Sequence, residues 1–272
     1  MQRPSDWESV SPKIRKTKPP RLHLADLVGE GPPVVMLHGI ASSSVTFQNV
    51  IPLLEGTHRC IAVDLLGFGE SPIPEDGEYT IGEHAEAIHQ TLKKLKLREP
   101  AILIGHSMGA LIAARLAATY PKKISKVVLV SPPIYLAPAQ LTSRRDRQIM
   151  DFYLRAYHYL RENPRFTLRA ARTVERFLSI PKAMDINERT WVPFIKSLEH
   201  SIESQTTIND IAATKAPIEI VYGNFDQFHS EGVLKIVGRM HGVRVHRVRG
   251  SDHLIGKRLA RAVAVAAVSV RG

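Results

Sequence analysis

The sequence has almost no cysteine, few aromatic residues and no long apolar run. A single cysteine, Cys60, stands among 272 residues, so an intramolecular disulfide is impossible. The first ten residues include Arg3, Asp6 and Glu8 and lack the apolar region of a secretory signal. The longest apolar stretch near a terminus, residues 262–268, is far shorter than the ~20 residues that a membrane-spanning helix needs. These absences predict a cytoplasmic protein without a transmembrane segment, in which 262–268 form a buried terminal helix.

Basic residues outnumber acidic ones, and such an excess of positive charge is one feature of proteins that bind nucleic acids. The chain has 37 Lys and Arg against 26 Asp and Glu, a net charge of +11. The excess lies at the two ends, with +4 in residues 1–21 and +7 in residues 231–272. No aromatic residues of the kind that stack bases are interleaved with it. We therefore expect solvated surface charge and no nucleic-acid partner, with a weak attraction to anionic surfaces or substrates as the alternative explanation of the basic excess.

The patterns that bind metals and nucleotide cofactors are also missing. There is no His-Glu-x-x-His motif, and one cysteine cannot build a thiolate zinc site. His84 and His89 are five residues apart on a predicted helix, which suits shared ligation poorly, so both are expected at the surface. Gly67 and Gly69 resemble the start of a dinucleotide motif, but Pro72 occupies the position of its third glycine. The sequence predicts no metal and no cofactor.

Apolar runs and a helical pattern indicate an α/β fold. Four continuous apolar runs cover residues 34–37, 60–63, 101–104 and 127–130, and strand patterning returns at 218–222 and 243–248. Such runs suit strands that are covered on both faces, as in a parallel sheet. Within residues 80–97, apolar residues recur every three or four positions, as on one stripe of an amphipathic helix. We predict a mostly parallel twisted sheet flanked by helices.

A helical insertion interrupts this alternation. Between residues 133 and 210 there is no convincing strand, and helices broken at four prolines are predicted, at Pro138, Pro164, Pro181 and Pro193. The segment holds nine of the seventeen aromatic residues. They could serve ordinary helix packing, roof a largely apolar pocket, or do both. The predicted organisation is a flexible lead-in at 1–20, a core of 21–132 and 211–272, and a helical cap, or lid, at 133–210.

One short motif carries the chemistry. The run Gly105-His106-Ser107-Met108-Gly109 follows an apolar run and opens a helix-prone stretch. A serine on such a strand-to-helix turn is exposed as a nucleophile, and side chains two positions before or after it would collide, so glycine is required at both. The N-terminal N–H groups of the helix also face the charge that develops beside the serine.

This run resembles the nucleophile elbow of α/β-hydrolases, and the resemblance covers nearly the whole chain from about Leu22. Residues 37–40, Leu-His-Gly-Ile, are similar to the family's H-G segment, and residues 64–71 to its D-x-x-G-x-G-x-S loop. Tyr120-Pro121 matches the usual exit from the elbow helix. The resemblance implies the α/β-hydrolase fold and a serine hydrolase with Ser107 as nucleophile.

The remaining catalytic groups follow from the same resemblance. His253 lies after the last predicted strand, where the family has its catalytic histidine, and Asp226 matches the family's G-x-x-D acid. Asp252 adjoins His253 and is less suited, because neighbouring side chains rarely face each other, while Asp64 is expected to hold its own loop. The backbone N–H groups of Ile40 and Met108 would form the oxyanion hole. Predicted substrate contacts come from residues beside these groups, namely His38, Gly39, His106 and Leu254.

Three functions are compatible with these residues. The first is hydrolysis of a carboxylic ester of a small-molecule acyl substrate through an acyl-enzyme on Ser107. The second is hydrolysis of a carbon–carbon bond in a ring-cleavage product, for which Arg189 could pair a substrate carboxylate. Members with that activity carry Asn before the serine and Trp after the histidine, where this chain has His106 and Leu254. The third is a non-catalytic ligand-binding receptor on the same fold.

Overall fold

A computed structural model describes residues 18–135, 155, 158–175, 185–203, 207–228 and 230–269. Most of the predicted lead-in, residues 1–17, lies outside these ranges. The predicted division into core and cap stays a prediction. Within the described ranges no helix is both long and apolar enough to cross a membrane.

Seven strands form one sheet in the order β1-β3-β2-β4-β5-β6-β7, and all neighbours are parallel except β1, which runs antiparallel to β3. The strands are β1 (Leu24–Val28), β2 (Pro33–Leu37), β3 (Arg59–Val63), β4 (Ala101–His106), β5 (Ile124–Val130), β6 (Ile218–Gly223) and β7 (Val243–Val248). This architecture confirms the predicted sheet. Because parallel strands end at the same edge, the loops after β2, β4, β6 and β7 are brought together.

Strand β1 was not predicted from the sequence. Its residues are mostly half-buried or exposed, and Asp26 lies in the middle of it. The apolar-run criterion detects strands that are covered on both faces, and an edge strand with one neighbour does not meet it. By contrast, every residue of β2 and β6 is buried.

Helices cover both faces of the sheet. They are α1 (Ile51–Leu54), α2 (Ile81–Lys94), α3 (Met108–Thr119), α4 (Pro164–Glu175), α5 (Trp191–Ser197), α6 (Thr207–Ala213), α7 (Glu231–Val237) and α8 (Lys257–Val268). One core cluster joins α2, α3 and α7 to one face, and a second joins α1 and α8 to the other. The predicted helix within 80–97 and the buried terminal helix are both confirmed.

His84 is buried, and the prediction of a surface position was wrong. It lies three residues after Ile81 and four before Ile88, so it falls on the apolar stripe of α2 and has no exposed surface. Burial lowers the pKa of His84 to about 3. His89 is half-buried and stacks on Tyr120 with ring centroids 3.7 Å apart.

The described parts of residues 133–210 contain helices and no strand. A helical stretch ends at residue 162 and α4 begins at Pro164, so the predicted break at this proline is confirmed. Pro193 lies in the first turn of α5 and breaks no helix, so the prediction was wrong there. The first turn tolerates proline because its N–H groups have no partner inside the helix. Pro138 and Pro181 lie outside the described residues.

Of the aromatic residues in this segment, Phe194 is buried, whereas Tyr159 and Phe166 pack against each other and remain half-exposed.

Candidate active site

Ser107 lies on the sharp turn between the end of β4 and the start of α3. Its backbone has φ 52° and ψ −122°, a conformation that costs a non-glycine residue free energy and marks many functional sites. The turn is held on both sides: the Ser107 N–H donates to Val130 O at 2.9 Å, and the Ala110 N–H donates to Ser107 O at 2.9 Å. The fold therefore keeps the serine in a strained geometry at the carboxyl edge of the sheet.

Close backbone packing explains the glycines around Ser107. A Cβ on Gly105 would overlap Gly109 O, and a Cβ on Gly109 would overlap Leu37 O. The predicted need for glycine two residues before and after the serine is thus confirmed. Gly39 is equally close, since a Cβ there would lie 3.0 Å from Ser107 Cβ and 3.3 Å from His106 Nδ1. The loop after β2 therefore touches the nucleophile turn directly.

Asp226 and His253 are hydrogen-bonded to each other. Asp226 follows β6 and His253 follows β7, and His253 Nδ1 lies 3.0 Å from Asp226 Oδ1. The same carboxylate oxygen accepts the Phe228 N–H at 2.9 Å. The Asp226 side chain has no exposed surface, while that of His253 is 17% exposed. The two loops are also joined by a hydrogen bond from the Phe225 N–H to Ser251 O at 2.9 Å.

The carboxyl of Asp226 is kept ionised. Burial is the largest single effect and by itself would raise the pKa of Asp226. The hydrogen bond and charge interaction with His253, the Phe228 N–H and the Ser131 hydroxyl together outweigh burial, so the pKa is lowered. Ser131 follows β5, is buried, and has φ 47°. An ionised carboxylate at this position can hold the Nδ1–H tautomer of His253 and stabilise its protonated form.

Two rings enclose the His253 imidazole. Phe228 approaches edge-on with ring centroids 4.7 Å apart, and the His106 ring lies at 4.9 Å. His106 Nε2 donates to the main-chain oxygen of His253 at 2.8 Å. Within the described residues Ser107 Oγ makes no hydrogen bond to His253. His106, the residue before Ser107, therefore links the turn at Ser107 to the loop after β7.

The groups predicted for the oxyanion hole lie on the two loops that meet at Ser107. Met108 is the first residue of α3, where N–H groups have no partner inside the helix. Ile40 follows Gly39, whose backbone packs against the serine. Within the described residues the Ile40 N–H donates no hydrogen bond. Both N–H groups stay predictions as oxyanion donors.

His38 lies deeper than the other predicted substrate contacts. It has no exposed surface, its Nδ1 donates to Gly39 O at 2.7 Å, and its Nε2 accepts the Leu65 N–H at 2.9 Å. Burial lowers the pKa of His38. The ring thus holds the loop after β2 against the loop after β3. Leu254 is half-buried beside His253, and its N–H donates to Asp252 Oδ1 at 3.1 Å.

Asp64 organises the loop after β3, as predicted. Its carboxylate accepts hydrogen bonds from the Ser44 N–H, the Glu70 N–H and His23 Nδ1, all within 3.0 Å. Burial would raise the pKa of Asp64, but these donors, together with the charge interaction with His38, lower it. A Cβ on Gly69 would overlap this carboxylate. Asp64 therefore serves the loop rather than His253.

The described end of the insertion is tied to the same loop. The Arg189 guanidinium donates to Gly69 O at 2.7 Å and to Ser71 O at 3.4 Å, and the Gly69 N–H donates to Asp185 Oδ2 at 3.1 Å. Farther along, Ser201 Oγ donates to Tyr79 O at 2.8 Å. Arg189, considered above for a substrate carboxylate, is thus engaged with main-chain carbonyls.

A model of the alpha/beta hydrolase fold matches residues 32–235. This match spans most of the chain, including Ser107 and Asp226. The chain belongs to the α/β-hydrolase fold family. The resemblance stated from the sequence motifs is thereby confirmed.

Curated relatives within the α/β-hydrolases match shorter segments. The chain is 40% identical over 111 residues to a protein of Arabidopsis thaliana named "Probable lysophospholipase BODYGUARD 2", covering 39% of this chain and 23% of that protein. It is 29% identical over 153 residues to the pimeloyl-[acyl-carrier protein] methyl ester esterase of Aeromonas hydrophila, covering 56% of this chain and 54% of the esterase. The chain thus spans between about a quarter and about half of the length of these relatives.

Solved α/β-hydrolase structures superimpose over most of the chain. The crystal structure of E-2-(acetamidomethylene)succinate hydrolase aligns with a TM-score of 0.65 at 22% identity, covering 89% of this chain and 91% of the hydrolase. At this identity the likeness establishes the fold alone.

Sequence reasoning missed two residues of this α/β-hydrolase site. Ser131 was not among the predicted site residues, yet its buried hydroxyl contributes to the lowered pKa of Asp226. Phe228 was also not predicted, although its ring contacts the His253 ring and its N–H donates to Asp226 Oδ1. The spacing of Phe228, two residues after the acid, was the one available signal, since Asp side chains commonly accept the N–H two positions on.

Proposed function

We propose that the protein is a serine hydrolase that cleaves a carboxylic ester through an acyl-enzyme on Ser107. His253 acts as general base and then general acid, and Asp226 orients its imidazole. The observation that carries this proposal is the 3.0 Å hydrogen bond between His253 Nδ1 and Asp226 Oδ1, formed beside a strained serine turn. Two curated relatives with lysophospholipase and ester esterase in their names support the choice of ester chemistry.

The reaction follows from the positions of these groups. His253 Nε2 takes the proton of the Ser107 hydroxyl as Oγ attacks the ester carbonyl, and Asp226 stabilises the imidazolium that forms. The N–H groups of Met108 and Ile40 receive the developing oxyanion. The imidazolium then protonates the leaving alcohol. Water, deprotonated by His253, attacks the acyl-enzyme, and the acid leaves as Ser107 Oγ recovers its proton. The residues require neither metal nor cofactor for any of these steps.

The absence of a Ser107–His253 hydrogen bond in the resting structure is compatible with this sequence of steps. Catalytic hydrogen bonds in unliganded enzymes are often long and tighten only when substrate is bound. The expected substrate carries a small or medium acyl group.

The cytoplasmic location stays a prediction. It was inferred from the single cysteine.

Labelling and turnover of matched variants test the proposal. A fluorophosphonate probe and a panel of nitrophenyl esters should react with the wild-type protein and not with Ser107→Ala. The control is Ser125→Ala, an exposed serine near the opposite end of the sheet, which should behave like wild type. Equal labelling of the wild type and Ser107→Ala would overturn the nucleophile assignment.

Two further pairs test the histidine and the acid. His253→Ala should lower kcat by about 10²–10⁴-fold, with the exposed His241→Ala as its control. Asp226→Asn should lower kcat by about 10⁴-fold while Asp252→Asn changes it little. A larger loss of kcat in Asp252→Asn than in Asp226→Asn would overturn the acid assignment.

A ligand that stabilises the protein without being consumed, together with no ester turnover, would indicate a receptor instead.

A further inference from the structure

We propose that His106 is a positioning residue, whose imidazole N–H holds the main chain of His253 and thereby sets the spacing between nucleophile and base. The proposal rests on the proposed function, because it concerns the same serine and histidine. The sequence analysis predicted that His106 contacts the substrate. We propose instead that it contacts the main chain of His253.

The first observation is the hydrogen bond itself. His106 Nε2 lies 2.8 Å from His253 O, across 147 residues of sequence. A carbonyl oxygen can only accept, so the proton of His106 must reside on Nε2. That single donor is fully used by His253 and is not available to a substrate.

The second observation is where the rest of the ring lies. His106 is only 5% exposed, and within the described residues its Nδ1 has no hydrogen-bond partner. A methyl group on Gly39 would lie 3.3 Å from this Nδ1. The ring therefore contacts the loops after β2 and β7 while its own backbone precedes Ser107. One imidazole spans the three loops that must keep their spacing for proton transfer.

Electrostatics suits this role. Burial lowers the pKa of His106 to about 3, and the nearby His253 lowers it as well. His106 therefore stays neutral when His253, with its ring centroid 4.9 Å away, takes a proton. A ring that remained cationic at this distance would oppose the formation of the imidazolium.

The test compares a variant without the donor with one that keeps it. His106→Leu removes the N–H, while His106→Gln keeps a side-chain N–H that can reach the position of Nε2. With a nitrophenyl ester, we expect the Leu variant to lose about 10–100-fold in kcat with KM changed by less than about threefold, because misplaced groups impair chemistry more than binding. The Gln variant should recover most of this loss. His89→Leu, a half-buried histidine on α2, is the matched control and should keep the wild-type kcat.

A second readout needs no substrate. The proton on His253 Nδ1, hydrogen-bonded to Asp226, should give a low-field proton resonance in the resting wild-type protein and in His106→Gln. In His106→Leu it should broaden or disappear, with circular dichroism confirming the fold. If His106→Leu cannot be purified folded, His106→Met replaces it.

The outcomes separate the two proposals. Wild-type kcat and resonance in the Leu variant would overturn the positioning role, and so would a Gln variant as impaired as Leu. A wild-type protein that turns over no ester, but whose resonance is lost in the Leu variant and kept in the Gln variant, would support the positioning role and contradict the ester hydrolase.

Discussion

Gly39 and Ser107 are in such close contact that a methyl group on the glycine would lie 3.0 Å from the serine Cβ. The two residues follow different strands, β2 and β4, and Ile40, whose N–H is a proposed oxyanion donor, comes directly after Gly39. Backbone packing with no room for a side chain therefore sets the spacing between the loop of the proposed donor and the proposed nucleophile.

Gly39→Ala should lower the kcat of ester hydrolysis by about 10–100-fold, because the added methyl group must push apart two groups whose alignment the chemistry needs. Gly56→Ala is the control, since nothing lies within 4 Å of a Cβ at that glycine. Steady-state kinetics and thermal unfolding of both variants check the prediction. A Gly39→Ala enzyme with the kcat of wild type would show that this contact does not set the geometry.

Stability should fall as the pH drops below neutral, because three buried histidines resist protonation. Burial lowers the pKa of His38, His84 and His106 in the folded protein, to about 3 for His84 and His106. In the unfolded chain these histidines bind protons below about pH 6.5, whereas in the native state they remain neutral. The unfolded state therefore binds more protons, and the unfolding free energy falls as the pH falls. The unfolding free energy should fall by about 2 kcal/mol between pH 7 and pH 5 for each of His84 and His106, and His38 should act in the same direction. Urea unfolding at several pH values measures this, and a flat profile over that range would contradict it.

His84→Met should stabilise the protein and reduce this pH dependence. Both ring nitrogens of His84 are buried, and within the described residues neither has a hydrogen-bond partner. Replacing them with an apolar side chain of similar volume should raise the unfolding free energy by about 1 kcal/mol at pH 7. The loss between pH 7 and pH 5 should shrink by about 2 kcal/mol, the share of one histidine. The exposed His241→Met provides the comparison, and a destabilised His84→Met would mean that the imidazole has a partner in solution.

Arg189→Met should affect all substrates equally. The arginine donates to Gly69 O and Ser71 O, so its loss should loosen the insertion and lower Tm by about 2–5 °C, the value of one or two charge-assisted hydrogen bonds. We expect kcat/KM to fall by the same factor for neutral and carboxylate-bearing esters, whereas the exposed Arg165→Met should change neither. A loss confined to carboxylate-bearing substrates would instead make Arg189 a substrate residue and favour the carbon–carbon hydrolase.

Much of the fold could be predicted because its parallel strands are covered on both faces. Residues 34–37 and 127–130 are continuous apolar runs, and both became buried strands. The edge strand β1 escaped because its residues contact the sheet on one side only. The prediction for His84 was wrong because histidine is a polar residue and was expected at the surface. Its spacing from Ile81 and Ile88 in fact places it on the buried face of α2.

The amino-acid sequence by itself determined the six parallel strands, the serine on a strand-to-helix turn, and the need for glycines around it, because these depend on local period and backbone sterics. Only the tertiary structure decided the contact of His106 with the main chain of His253, and only it set the 3.0 Å distance between Asp226 and His253, a pair that the family resemblance had implied. Those pairs join residues on different strands, and their distances depend on how the whole sheet twists and packs, which no local pattern encodes.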